Sequence, residues 1–328
     1  MNRLLYAHSL RLLAEPVHGL GAASQLAILN ALPSLEALAA ATDEELQLIP
    51  VSRKDALVLA RARLQEYGTA AYVDRAAAVI EEHEQAEIRM AAIGDTGYPE
   101  LLARCVNAPP ILYWRGSIGA IERSGAAVVG TREPTPVGAA VAERVAAHLA
   151  AAGVAVISGL ALGIDTIAHR AALRAGGYTA AVLAQSLERD AVAPASNRPL
   201  AEEILAADGA LISEHPLGAI TNRFEFARRD RIQSGLSRVV LPIQTGLKGG
   251  TQNTISAARS QGRPLWVPRV NQERGHEKWD GIAALLADGT ARGYTEAEYP
   301  ELVAAALLPI EPLPPPPPEP EPPSTLGI

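Results

Sequence analysis

The sequence predicts an α/β protein: a mostly parallel sheet with helices on both faces, preceded by a small all-helical module. Three observations carry this. Short runs of small and β-branched residues recur at 126–129, 154–157, 179–184, 209–212, 238–243 and 264–267. Segments with helical apolar spacing fall between them at 137–151, 166–175, 198–207, 225–236 and 251–261, the alternation that builds parallel sheets. Residues 1–85 instead show only helical spacing and are rich in Ala and Leu.

In chain order, residues 1–85 form the helical module. Its Gly19-Leu20-Gly21 turn has the shape of a helix-hairpin-helix phosphate contact, but a lone GxG is a weak signal, and a packing module is the reading taken. Residues 86–120 carry Tyr98-Pro99, Pro109-Pro110 and a short strand, and connect the module to the sheet. Trp114, beside the Pro-Pro turn, is read as packing rather than as a base-stacking ring. The sheet domain, with this connector, spans 86–300. Residues 301–328 comprise a helix end and a Pro/Glu-rich tail that cannot bury a core and is expected to be disordered.

Between Val145 and Ile164 about twenty residues lack a charge, the length of a membrane span. Gly153, Ser158 and Gly159 interrupt them, so a helix end at Gly153 followed by a buried strand is expected instead. The single cysteine, Cys105, excludes an intramolecular disulfide framework and a cysteine-rich zinc site, and fits a reducing cytoplasm. A net charge of −7 argues against a protein that coats nucleic acid over its whole surface, yet leaves room for a local basic cleft. Arg223, Arg228, Arg229, Arg231 and Arg238 form such a local cluster.

The chemistry is expected in the loops that follow the strands. Gly130-Thr131-Arg132 leads to Thr135-Pro136, an N-cap followed by a proline at the first helical position. Free N–H groups there, with a guanidinium, make an anion site. Ser158-Gly159-Leu160-Ala161-Leu162-Gly163-Ile164-Asp165 is neither a GxGxxG nor a GxxxxGK[ST] loop, and Asp165 reads as its helix cap. His169, four residues on, fits a catalytic or metal pair with Asp165, but a structural hydrogen bond orienting the loop is the reading taken. Lys248-Gly249-Gly250-Thr251 repeats the anion-binding pattern. Several such loops on one sheet edge suit a polymeric phosphate backbone. No HExxH, zinc-type cysteine cluster or GxSxG elbow is present, and no metal or cofactor is expected.

Taken together, these residues resemble the DNA-processing protein A family (DprA, or Smf). Ser158-Gly159-x-Ala161-x-Gly163-Ile164-Asp165-x-x-Ala168-His169 follows its SGxAxGIDxxAH pattern, and Phe226-x-x-Arg229-Asp230-Arg231-Ile232-x-x-Gly235-Leu236-Ser237 resembles FxxRNRIIxGLS. The resemblance implies an extended Rossmann-like fold that binds single-stranded DNA, forms homodimers, protects DNA in natural transformation and loads the RecA recombinase, without catalysis. It implies phosphate contacts from Gly130, Thr131 and Arg132, from Ser158, Gly159, Ala161, Gly163 and Asp165, and from Arg229, Arg231, Lys248 and Gly250. Thr135 and His169 are expected to orient them. Leu162, Asp230, Gln244 and Gly249 depart from the family pattern, where arginine, asparagine, glutamate and serine are usual; they remove one cation from the proposed groove and add one anion. An enzyme of the LOG phosphoribohydrolase type is the alternative, on Gly249-Gly250-Thr251, although its acid-base glutamate is missing.

Overall fold

The chain opens with six helices, α1 (Arg3–Ala14), α2 (Ala22–Ala31), α3 (Leu35–Ala40), α4 (Asp43–Leu48), α5 (Lys54–Tyr67) and α6 (Ala70–Gln85). Their starts are set locally. The Asn2 side chain accepts the Leu5 N–H at 2.7 Å, and Thr42 with Glu45 forms a reciprocal capping box at α4. Then follow β1 (Arg89–Ala92), α7 (Glu100–Ala103), β2 (Ile111–Gly116), α8 (Gly119–Arg123), β3 (Ala126–Val129) and α9 (Pro136–Ala151). Next come β4 (Val156–Ser158), α10 (Ile164–Arg174), β5 (Thr179–Val182), α11 (Arg198–Ala206), β6 (Ala210–Ser213) and α12 (Arg223–Gly235). The chain continues through β7 (Val239–Pro242), α13 (Thr251–Ser260), β8 (Leu265–Pro268), α14 (Asp280–Ala287), β9 (Ala291–Tyr294) and α15 (Tyr299–Leu307). This computed structural model describes residues 2–309 apart from 272 and 274; the Pro/Glu-rich tail from 310 onward lies outside the described residues.

The strands form one nine-stranded sheet in the order β1-β2-β6-β5-β4-β3-β7-β8-β9. From β6 to β9 every neighbour is parallel, while β1 and β2 add an antiparallel margin. The predicted mostly parallel α/β architecture is present. Two features differ from expectation. The supposed connector supplies β1 as well as the expected short strand β2, and β9 closes the far edge. Both extra strands are four residues long with solvent-facing arginines, Arg89 and Arg292, so neither carries the unbroken apolar run of the central strands.

Strands β3 to β8 are buried along their whole length, and residue parity sorts their side chains. Ala126, Val128, Val156, Val239 and Leu241 meet α9, α10 and α15 on one face. Ala127, Val129 and Val240 meet α13 and α14 on the other, and beside them Ile157, Ala180 and Ile212 meet α12. The helical module shares a continuous apolar core with Ile111, Tyr113, Ala181 and Leu211 and with α11. Trp114 is 7% exposed within the core, in keeping with packing. Gly153, at φ +79°, ends the α9 turn before β4, and no described helix is long and apolar enough to cross a membrane.

The strand order fixes where a ligand fits. From β3 the chain builds outward through β4, β5 and β6, then returns to add β7 on the other side of β3. The loops after β3 and β7 therefore diverge beyond the carboxyl ends of neighbouring strands and leave a crevice between them.

Candidate nucleic-acid interface

A cleft of about 520 Å³ occupies that crevice. Its walls are Gly130, Thr131 and Arg132 after β3, Ala161 and Asp165 after β4, and Thr245, Gly246 and Lys248 to Thr251 after β7; α12 closes it with Arg223, Phe226, Arg229, Asp230 and Gln233. Gly130, Thr131, Arg132, Ala161, Asp165, Arg229, Lys248 and Gly250 thus come together. Ser158, Gly159, Gly163 and Arg231, also expected to contact phosphate, are absent from the lining.

Each of those four has a structural occupation. The Ser158 hydroxyl donates to the Val128 carbonyl at 2.7 Å and is fully buried. The Gly159 N–H donates to the Asp165 carboxylate at 3.0 Å, so it is not free for a ligand. A side chain at Gly159 would collide with the Arg229 guanidinium. Gly163 sits at φ +78° against the Thr131 and Arg132 backbone, where the close approach of the two loops needs a glycine. Arg231 points away and makes a bidentate pair with Glu214, both contacts at 2.7 Å, plus a bond to the Asn107 carbonyl.

The helix starts are not equivalent. Thr135 caps α9 by accepting the Gly138 N–H at 3.1 Å. Its own N–H donates to Gln244, its hydroxyl accepts from the Gln244 amide, and it donates to Glu273 at 2.6 Å. The α9 start is therefore occupied by the chain itself, rather than the open anion site that the Thr135-Pro136 signal predicts. Gln244, fully buried, belongs to this latch and not to the cleft surface. Thr135→Ala is expected to cost about 1–2 kcal/mol, read as a lower urea midpoint at unchanged slope; an unchanged midpoint would remove the latch from the stability of the fold. By contrast, α13 starts at Gly250 with no side-chain cap, and Gly249, Gly250 and Thr251 line the cleft. That is an open positive helix end facing a ligand site.

Two further expectations need correction. Asp165 is not a helix cap. It lies inside the first turn of α10, after Gly163 at the N-cap position, and folds back onto the glycine loop. His169 does not orient that loop. Its Nδ1 bonds the Thr179 hydroxyl at 2.7 Å, and Thr179 donates to the Val156 carbonyl, so His169 ties α10 to β4 and β5. Burial and the nearby Arg229 hold it neutral, with its pKa pushed down to about 3. The loop is held instead by a residue that sequence reasoning missed. Asn197, 3% exposed, donates to the Leu160 and Ala161 carbonyls at 2.8 and 3.3 Å and to Thr166 at 2.8 Å. This clamp turns the loop carbonyls back, with Leu160 at φ +60°.

Charge divides the cleft into layers. On the outside, Arg132, Arg223 and Lys248 are exposed and have no ion pair among the described residues; Arg223 lies over the Phe224 ring at 5.0 Å. Arg223 is the cation that the motif-based site lacked, because it precedes the recognisable pattern by one helical turn. Inside, Arg229 is 5% exposed. Its Nη1 donates to Gln233 at 2.7 Å, and its Nε lies 3.6 Å from Asp230. Burial raises the pKa of both Asp165 and Asp230, while Arg229 opposes the rise. Among the described residues no cluster of three or more metal-type side chains forms.

A parallel sheet with a basic, glycine-walled cleft at its switch point defines a Rossmann-like α/β protein. The chain belongs to the DNA recombination-mediator protein A family, whose profile matches residues 89–302. It is 38% identical over 191 residues to protein Smf of Synechocystis, a match covering 57% of this chain and 47% of that protein. The chain spans about half the length of the relatives it matches. Its fold is similar to the X-ray structure of DNA processing protein A from Streptococcus pneumoniae, with TM-score 0.70 and 24% identity over 90% of this chain and 97% of that one. It is also similar to the Helicobacter pylori DNA processing protein A, whose structure describes a single-stranded DNA binding mode, with TM-score 0.57 and 28% identity over 66% and 94% of the two chains.

Proposed function

We propose that the cleft binds the backbone of single-stranded DNA and that the protein acts in DNA processing by holding such strands. The observation that carries this is the convergence of three cations without an ion pair among the described residues, Arg132, Arg223 and Lys248, on the uncapped start of α13. An open groove suits a chain of phosphates better than one enclosed nucleotide. The apolar side chains Leu162, Phe224 and Leu247, 47%, 62% and 64% exposed, each adjoin a residue of the lining and offer surfaces to unpaired bases. The single-strand binding described for the Helicobacter pylori relative supports the same reading. In this reading the unit 86–300 is the binding domain, 1–85 its helical module and 301–328 a tail. The chain works as a homodimer in the cytoplasm, hands DNA to a RecA-type recombinase during natural transformation, and performs no catalysis.

Fluorescence anisotropy with labelled oligo(dT) tests the core of the proposal. Three phosphate contacts predict a slope near −2 for log affinity against log salt, since each contact on a single strand contributes about −0.7. Absence of binding at low salt would end the single-strand reading, and release of base from a nucleoside monophosphate would favour a phosphoribohydrolase instead.

A further inference from the structure

We propose that Asp230 takes up a proton when DNA phosphate enters the cleft, and so meets the ligand as a neutral hydrogen-bond donor. The inference rests on the single-strand reading above and adds a residue to that site, with a stated protonation state.

The geometry supplies the reason. Asp230 is 9% exposed yet lines the cleft, so an incoming phosphate stands near a carboxyl that water barely reaches. On its own helix it faces Arg229, whose Nε is 3.6 Å away, beyond a direct hydrogen bond, and Gln233, which donates to it at 3.2 Å. From α13 it receives a hydrogen bond from Asn253. From α10 it faces the buried Asp165, and from the loop after β3 it feels Arg132. Lys248 and Arg223 complete the charged lining.

Two buried carboxylates thus share one buried guanidinium, which leaves the inner layer one negative charge in excess. A phosphate drawn in by the outer cations is opposed by this inner charge, and protonation of one carboxyl removes the opposition. Asp165 accepts hydrogen bonds from both the Gly159 and the Ala161 N–H groups, which favour its ionised form. Asp230 accepts only from amide side chains and is the freer of the two. Burial already pushes its pKa up to about 6, and no histidine or cysteine lines the cleft to titrate in its place. A ligand anion raises that value further, so binding and proton uptake are linked.

Oligo(dT) is the probe, because its phosphates and bases keep their charge between pH 6 and 8. For the unmodified protein, affinity is expected to rise as pH falls from 8 to 6, approaching tenfold per pH unit where a full proton is taken up. Asp230→Asn, neutral throughout, is expected to bind at pH 8 about as tightly as the unmodified protein binds at pH 6, with a flat profile. Calorimetric titration in two buffers of different ionisation enthalpy counts the protons directly on the unmodified protein, without relying on a variant. Parallel profiles for the two proteins, or no proton uptake at pH 7, would overturn the proposal while leaving single-strand binding intact. Failure of both proteins to bind at any pH would remove the single-strand reading and this proposal together.

Discussion

Replacing Arg132 and Lys248 together by alanine is expected to weaken oligo(dT) binding on the order of a hundredfold at low salt. Each is an exposed cation with no ion-pair partner among the described residues, so each is free to make a charge-assisted bond worth about 1.5 kcal/mol or more. The same change is expected to flatten the salt dependence by about 1.4 in log-log slope, because two counterion-releasing contacts disappear. Neither residue packs in a core, so thermal stability should stay close to that of the unmodified protein. An unaltered salt slope would show that phosphates lie elsewhere, whatever happened to the affinity.

Arg229→Met is expected to act in the opposite way, on stability first. The guanidinium is 5% exposed between Asp165 and Asp230, themselves 6% and 9% exposed. Removing the cation strands both carboxylates, and breaking such a buried pair costs about 3–5 kcal/mol at neutral pH. The pH dependence follows from the sign of the shifts. Both carboxyls already titrate above their ordinary range in the fold, and losing Arg229 raises them further. A folded-state pKa above the unfolded value means that the penalty grows as pH rises past about 4 and fades below it, where both states hold the proton. Urea unfolding of the two proteins at pH 4 and pH 7.5 measures this. A variant within about 1 kcal/mol of the original at pH 7.5 would show that Arg229 is not the counter-charge of this layer.

Much of the architecture was legible in the sequence, because β3 to β8 are continuous apolar runs and nothing else in a chain of this size demands them. β1 and β9 were not, since Arg89-Met90-Ala91-Ala92 and Ala291-Arg292-Gly293-Tyr294 lie at sheet edges where one side meets solvent. The site was legible as a set of loops but not residue by residue. Arg229 and Arg231 look alike in a motif, yet Glu214 claims one and the cleft claims the other. Gln244 likewise reads as part of the groove, although it is spent on the backbone of Thr135. Partner choices of this kind depend on residues far apart in sequence, which local spacing does not encode. Asn197 left no signal of its own, because its role arises only when the end of one loop is folded over the start of another helix.

The Thr135–Gln244 latch joins residues 109 positions apart, and it lies beside the β3–β7 pairing that forms the cleft. During synthesis the loops after β3 and β4 emerge long before their opposite wall exists. Closing so long a loop is entropically slow, and its reward comes only when β7 docks. Until then Thr135 still caps α9 locally, but it lacks its Gln244 partner, and the first half of the cleft stands without the Lys248 loop. On the proposed reading, grip on a strand is a late property of folding, one that a nascent copy does not have. A strand bound as proposed would hold together the two chain segments that met last, and local opening at β7 would be the step that it opposes most.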